Sequence, residues 1–137
     1  MEIVFPIEFG VDGTPVSLQA KSPRSRNAWK DHVKAASKQV LAEGHWASRD
    51  RIAVTLFYFP AGPVQGDVDN IVKLVLDALG RHIYADDAQV ERVVVQKFEP
   101  ENTFPFDSPS SGLRIALNRA RPVLYVRLSN DPFEDLT

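Results

Sequence analysis

The alternation of strand-like and helix-like segments constrains the fold of this chain more than any other feature. Strand-like segments are rich in β-branched and aromatic residues, and they occur at residues 3–9, 51–59, 90–98 and 123–128. Helix-like segments have apolar residues at helical spacing, and they occur at residues 22–41, 69–79 and 111–119. We also expect a short strand at residues 16–20, after a turn signal at residues 12–15. This order predicts the α/β (α+β) class: a single domain in which helices pack on a mixed β-sheet.

Length and composition limit the classes of protein that the chain can belong to. Its 137 residues suit one hydrophobic core, so we expect a single domain at residues 1–129 and a flexible acidic tail at residues 130–137. A content of 44% hydrophobic and 25% charged residues excludes a disordered chain or a coiled coil. The longest apolar stretch, residues 52–59, is too short to cross a bilayer, so no membrane partner is expected. Without cysteines or a visible secretory signal, a cytoplasmic location fits best.

Positive charge is concentrated in one part of a chain whose net charge is only -2. Residues 21–51 carry eight bases against three acids, a net +5, and we take this segment as a candidate anion-binding surface. Ser22 and Pro23 predict the start of a helix there. Its predicted core-facing residues are Ala28, Trp29, Val33, Ala36, Val40 and Leu41. The candidate phosphate contacts are Lys21, Arg24, Arg26, Lys30, Lys34 and Lys38; the alternative is a solvated helix face.

A group of aspartates between residues 66 and 90 carries the strongest chemical signal. Asp67 and Asp69 lie where a loop enters a predicted helix, and Asp86 and Asp87 follow that helix closely enough to fold back toward them. Oxygen ligands without histidine or cysteine favour Mg²⁺ or Mn²⁺ over zinc. Such a group suits metal-assisted hydrolysis of a phosphodiester. Taken singly, Asp67 or Asp69 is better explained as a helix cap than as a metal ligand, and the Asp86-Asp87 pair is better explained as a solvated turn.

A lysine follows the first aspartates at helical spacing. Asn70, Lys73, Asp77 and Arg81 are predicted to share the polar face of the helix at residues 69–79. A lysine one turn away from a carboxylate group can hold a phosphate or stabilise a transition state. The alternative is an ordinary ion pair between residues four apart, which contributes only about 0.2–0.5 kcal/mol.

The complete pattern resembles the signature of the RusA family of Holliday junction resolvases. Its elements are Asp-x-Asp-Asn from Asp67, a lysine at 73, Asp-Ala-Leu from Asp77, and Asp-Asp-x-Gln-Val from Asp86. The resemblance implies a homodimeric endodeoxyribonuclease, of a kind common in prophages, that acts in DNA recombination and repair. Such enzymes cut four-way DNA junctions by paired nicks and depend on Mg²⁺ or Mn²⁺. The resemblance assigns metal binding and catalysis to Asp67, Asp69 and Asp87, catalysis also to Lys73, and supporting roles to Asn70, Asp77, Asp86 and Gln89.

One departure from the family keeps a second function open. Members can carry arginines just before the first aspartate, whereas this chain has residues 63–66 without any base. A junction-binding protein with little or no nuclease activity is therefore the main alternative. A phosphomonoesterase of the haloacid-dehalogenase type is disfavoured, because seven residues separate the Asp-x-Asp from the preceding strand and the chain is short for such an enzyme.

Overall fold

Four strands form one mixed sheet, which confirms the predicted fold class. The computed structural model describes residues 1–17, 20, 22–64 and 66–136. The strands are β1 (Ile7–Asp12), β2 (Ile52–Phe59), β3 (Val90–Lys97) and β4 (Val123–Ser129). They lie in the order β1-β4-β2-β3; β2 and β3 run parallel, and the other neighbouring pairs are antiparallel.

The N-terminal part of the chain differs from the prediction. Strand β1 begins at Ile7 rather than at Ile3. Pro6 stands directly before it, and proline has no N–H to donate to a ladder of strand hydrogen bonds. The strand expected at residues 16–20 is not formed by Val16, Ser17 or Ala20, and its other two positions, 18 and 19, lie outside the described residues.

Helix α1 (Pro23–Lys38) covers one face of the sheet. Ser22 caps it as predicted, because the Ser22 hydroxyl accepts a hydrogen bond from the Ser25 N–H at 3.3 Å. Trp29 and Val33 are buried, whereas two residues predicted to face the core, Ala28 and Val40, are exposed. Val40 follows the end of the helix, and Ala28 is one position away from the buried stripe formed by residues 29, 33 and 37.

The predicted helix at residues 69–79 is a single 3₁₀ turn (Val68–Ile71) that continues into helix α2 (Val72–Leu79). Leu74, Val75, Ala78 and Leu79 face the sheet and join the main core, beside α1. Since β2 and β3 are parallel neighbours, α2 is the crossover that returns the chain to the start of the next strand. The described part of the chain contains no helix that is long and apolar enough to span a membrane.

The opposite face of the sheet is covered by helix α3 (Ser111–Leu117) and by an aromatic loop. Leu113 of α3 packs with Phe59, Phe98 and Tyr125 in a second, smaller core. In the loop, Phe106 packs against this core, while Phe104 is 59% exposed. The candidate acids lie in the crossover that contains α2, which belongs to the first face.

The acidic C-terminal segment contacts this second face. The Glu134 carboxylate accepts hydrogen bonds from the Arg127 guanidinium, and its carbonyl oxygen accepts one from Arg92 at 2.7 Å. The Arg127 pair lowers the pKa of Glu134 and raises the pKa of Arg127. Arginines of β3 and β4 therefore contact Glu134 in this segment, and the flexibility of residues 130–137 stays a prediction.

His82 joins α1 to the turn that follows α2. Its Nε2 lies 2.9 Å from the Oγ of the fully buried Ser37, and its ring meets that of His45 edge-on at 4.9 Å. Burial lowers the pKa of His82 to about 4, and the positive charges of His45, Lys34 and Lys38 act in the same direction. The ring is therefore neutral in the folded protein near pH 7.

We predict that His82 makes the protein less stable as the pH falls from about 6.5 to about 4. In that window the unfolded chain binds a proton at residue 82 that the folded protein does not bind. Urea denaturation at pH 7 and pH 4.5 should show that the wild type loses about 1–2 kcal/mol more than His82→Gln. The expected loss is smaller than the ~1.4 kcal/mol for each unit of pKa shift that a fully buried ring would give, because the His82 ring is partly exposed. An unchanged pH dependence in His82→Gln would contradict the assignment.

Candidate active site

Asp67 and Asp69 lie in the segment that connects β2 to α2. Asp67 has the backbone conformation of a helix cap (φ -94°, ψ 149°), yet its side chain makes no capping hydrogen bond. Asp69 is exposed within the 3₁₀ turn. Among the described residues, neither carboxylate has a hydrogen-bond or ion-pair partner. Helix capping, the main structural alternative for Asp67, therefore does not explain it.

Two residues from distant parts of the sequence hold the loop before Asp67. The Val64 N–H donates to the Glu99 carboxylate at 2.8 Å, and this hydrogen bond lowers the pKa of Glu99. The Arg121 guanidinium donates to the carbonyl oxygens of Pro60 at 3.2 Å and Phe98 at 2.6 Å. The path of the chain into Asp67 is thus tied to the end of β3.

Lys73 lies between two carboxylates. Its Nζ is 2.9 Å from Oδ1 of Asp77 and 3.6 Å from Oδ2 of Asp87. The hydrogen bond and the negative charge of Asp77 raise the pKa of Lys73, with a smaller contribution from Asp87. Lys73 is half exposed, so these pairs add little to stability but hold a positive charge at a fixed place beside Asp87.

Asp86 and Gln89 build the turn that carries Asp87. Asp86 accepts a hydrogen bond from the Ala88 N–H, and the Gln89 Oε1 accepts from the Ala85 and Asp86 N–H groups at 2.8 Å, which forms a capping box. The Gln89 amide also donates to the carbonyl oxygens of Ser48 and Asp50 at 2.8 and 2.9 Å. Asp86 and Gln89 therefore have a structural role: they form the turn that positions Asp87 just before β3.

The candidate residues are divided between two clefts. One, of about 570 Å³, is lined by Asp77, Gly80, Arg81, Ala85, Asp86 and Asp87. The other, of about 300 Å³, contains Asp67 and Asn70 beside the loop at residues 60–66. No three His, Asp or Glu side chains in the described part of the chain are placed to share a metal ion. The structure therefore does not gather Asp67, Asp69 and Asp87 into one ligand group within a single chain; Asp87 instead pairs with Lys73, which also pairs with Asp77.

The chemical type of the available ligand atoms, carboxylate oxygens, nevertheless suits a hard divalent cation. Asp67 and Asp69 offer carboxylate oxygens that no described side chain engages, and no nitrogen or sulfur ligand stands with them. Mg²⁺ and Mn²⁺ favour such oxygen ligands, and Mg²⁺ commonly binds through one or two protein carboxylates together with substrate phosphate and water.

The basic residues of α1 differ in exposure and in their surroundings. Lys34 and Lys38 are exposed, and their charges reach His82, which directly follows Arg81. Arg24 is exposed near the start of the helix and Lys30 is partly exposed. Arg26 instead donates to the carbonyl oxygen of Ala20, and Lys21 lies outside the described residues. Two bases of α1, Lys34 and Lys38, are thus near the turn that follows α2.

An α/β domain that carries an Asp-x-Asp pair, a lysine and a further acidic pair has the groups of a phosphodiester-cleaving enzyme. A family model described as endodeoxyribonuclease RusA matches residues 12–104, which is more than half of the chain and includes the complete acidic pattern. The chain belongs to the RusA family of Holliday junction resolvases. No curated protein matches it.

Three residues that border the site were not assigned to it from the sequence. Glu99 and Arg121 act on the loop before Asp67 from more than 30 positions away, so no local pattern indicates them. Arg81 lines the first cleft and has a left-handed backbone conformation (φ 63°). A non-glycine residue in that conformation is strained, and such strain often accompanies functional sites. Its only signal in the sequence was its place on the polar face of the helix.

We predict that the two types of aspartate differ in their effect on stability. Asp86→Ala removes a capping hydrogen bond and should lower the free energy of unfolding by about 1 kcal/mol. Asp67→Ala removes no described hydrogen bond and should change it by less than about 0.5 kcal/mol. Urea denaturation of both variants checks this, and an equal loss in both would show that Asp67 has a capping role after all.

Proposed function

We propose that the protein is a Mg²⁺- or Mn²⁺-dependent endonuclease that cleaves four-way DNA junctions by paired nicks, in DNA recombination and repair. Membership of the RusA family supports an endodeoxyribonuclease. The main support for metal binding is that Asp67 and Asp69 are exposed and take no part in capping or ion pairing with the described residues. Two exposed carboxylates two residues apart that serve neither a cap nor an ion pair are available to a bound cation.

We assign the metal to Asp67, Asp69 and Asp87. A bound ion would supply a nucleophilic hydroxide at neutral pH and neutralise charge on the phosphate. Asp67 and Asp69 offer oxygen ligands in the same short segment. Asp87 lines the other cleft, so it would have to leave Lys73 and approach Asp67 and Asp69 to join them; its pair with Lys73 is exposed and 3.6 Å long, so breaking that pair would cost little.

Lys73 is proposed to contact the scissile phosphate. Asp77 raises its pKa and so keeps it positively charged at all physiological pH values. Asp77 also accepts a hydrogen bond from Nζ at 2.9 Å, which fixes the ammonium group one helical turn after Asp69. With Asp87 released from this pair, Lys73 would have a free donor for a phosphate oxygen. Asn70 and Arg81, at the borders of the two clefts, are placed to support DNA near the cut.

The proposed partner is branched DNA, held by a homodimer. Two sites related by a two-fold axis suit two symmetry-related strands of a four-way junction. Arg24, Lys30, Lys34 and Lys38 are proposed to contact phosphates of the duplex arms without reading sequence. Because Arg26 already has a backbone partner, we expect it to contribute less.

The direct test is incubation of a synthetic four-way junction with the protein in Mg²⁺ or Mn²⁺. The wild type should release nicked duplex products, and Asp69→Asn should reduce the rate at least about 100-fold, since the proposed site loses a charged ligand. Asp107→Asn, which changes an exposed aspartate outside the site, should cleave as the wild type does. A wild type that shifts junction DNA in EDTA but never cuts it would instead favour a junction-binding protein.

We also predict that Lys34 contributes to the salt dependence of DNA binding. Each phosphate neutralised by a base contributes about 0.9 to the slope of log K against log salt. Because the proposed homodimer carries two copies of Lys34, Lys34→Gln should therefore lower that slope by about two, in fluorescence anisotropy titrations of a junction without divalent metal. Arg114→Gln, which removes an exposed base from α3 on the other face, should leave the slope unchanged. Equal effects of the two variants would exclude α1 as a specific DNA surface.

A further inference from the structure

Strand β3 is an outer strand whose free side has no neighbouring strand among the described residues. The sheet order places it beside β2 only, over eight residues. Such an edge presents backbone N–H and C=O groups that a further strand can pair with. No proline interrupts β3.

The sequence of β3 is complementary to itself when a second copy runs antiparallel through Val94. In that register Val94 lies opposite Val94 of the second copy, Val93 lies opposite Val95, and Glu91 lies opposite Lys97. Each of the last two pairs occurs twice because of the two-fold symmetry. Opposite charges and β-branched residues at facing positions stabilise antiparallel strands.

The charges at both ends of β3 are already parts of pairs that such a contact would extend. Arg51 lies 3.2 Å from Glu91, and Lys97 lies 3.3 Å from Glu99. Across the interface these pairs would form a row of four charges with alternating sign: Arg51, Glu91, then Lys97 and Glu99 of the second copy. Val93, which is 38% exposed, would be covered by Val95 of that copy.

We propose that a second copy of this chain pairs antiparallel with β3, centred on Val94, and forms a continuous eight-stranded sheet. This inference rests on the proposed homodimer and specifies its interface. A two-fold axis perpendicular to the sheet keeps both α1–α2 layers on the same side. Asp87 stands three residues before β3, so the two candidate sites face the same side of the dimer, as one junction requires.

The absence of cysteine allows a clean cross-linking test. Val94→Cys places two thiols directly opposite each other, within reach of a disulfide after backbone adjustment. Gln96→Cys lies on the same face of β3, but its two copies would be four residues apart along the strand, about 13 Å. Both variants are oxidised with copper phenanthroline and analysed on non-reducing gels. The mass of the untreated wild type is measured by light scattering.

The proposal expects a dimeric wild type, cross-linked dimer for Val94→Cys, and at least ten times less cross-linking for Gln96→Cys. A dimer in which Val94→Cys does not cross-link, or in which both variants cross-link equally, would overturn this interface while leaving the proposed nuclease intact. A monomeric wild type would overturn both the interface and the proposed dimer; junction cleavage, measured separately, then decides the nuclease activity.

A charge-reversal cycle tests the same interface without cysteine. Glu91→Lys and Lys97→Glu should each weaken dimerisation at least ten-fold, because each creates two like-charge pairs across the strands. The double variant should dimerise more tightly than either single variant but less tightly than the wild type, because residue 91 then repels Arg51 and residue 97 repels Glu99 within each chain. Glu101→Lys, an exposed reversal outside β3, should have no effect. Failure of the double variant to recover, in a protein whose circular dichroism shows it folded, would contradict the proposed register.

Discussion

The parallel pairing of β2 with β3 is the constraint on which the rest of the structure depends. Parallel neighbours need a long crossover, and here residues 60–89 form it and carry every aspartate of the acidic pattern. The apolar face of α2 packs on the sheet through Leu74, Val75 and Leu79. Packing of that face turns the face with Lys73 and Asp77 toward solvent, so the core sets the orientation of the candidate site.

The sequence predicted best those elements whose pattern is strong over many residues. The buried strand β2 and helix α2 formed within a few residues of their expected bounds, because β-branched content and helical spacing persist along them. The ends of elements were less predictable. Helix α1 ends three residues before Leu41, and β1 begins at Ile7 rather than at Ile3. Local backbone chemistry rather than periodicity decides where an element begins and ends.

The roles of single aspartates could not be separated from the sequence. Asp67 and Asp86 both precede short helical turns, yet only Asp86 caps one, because capping depends on the backbone geometry of the following residues. The supports of the loop before Asp67, Glu99 and Arg121, depend on tertiary contacts that no spacing reveals. Net charge was equally uninformative, since a chain of -2 presents a positive helix beside its acids.

The central claim is that Asp67 and Asp69 exist to hold a divalent ion, with Asp87 released to it by Lys73. A crystal structure of the protein soaked in Mn²⁺, with anomalous data, tests this most directly. We predict an anomalous peak in contact with the carboxylates of Asp67, Asp69 and Asp87, and a Lys73 Nζ that has moved away from Asp87. A fully soaked crystal that has no peak at these carboxylates, or whose Lys73–Asp87 pair is unchanged, would contradict the account.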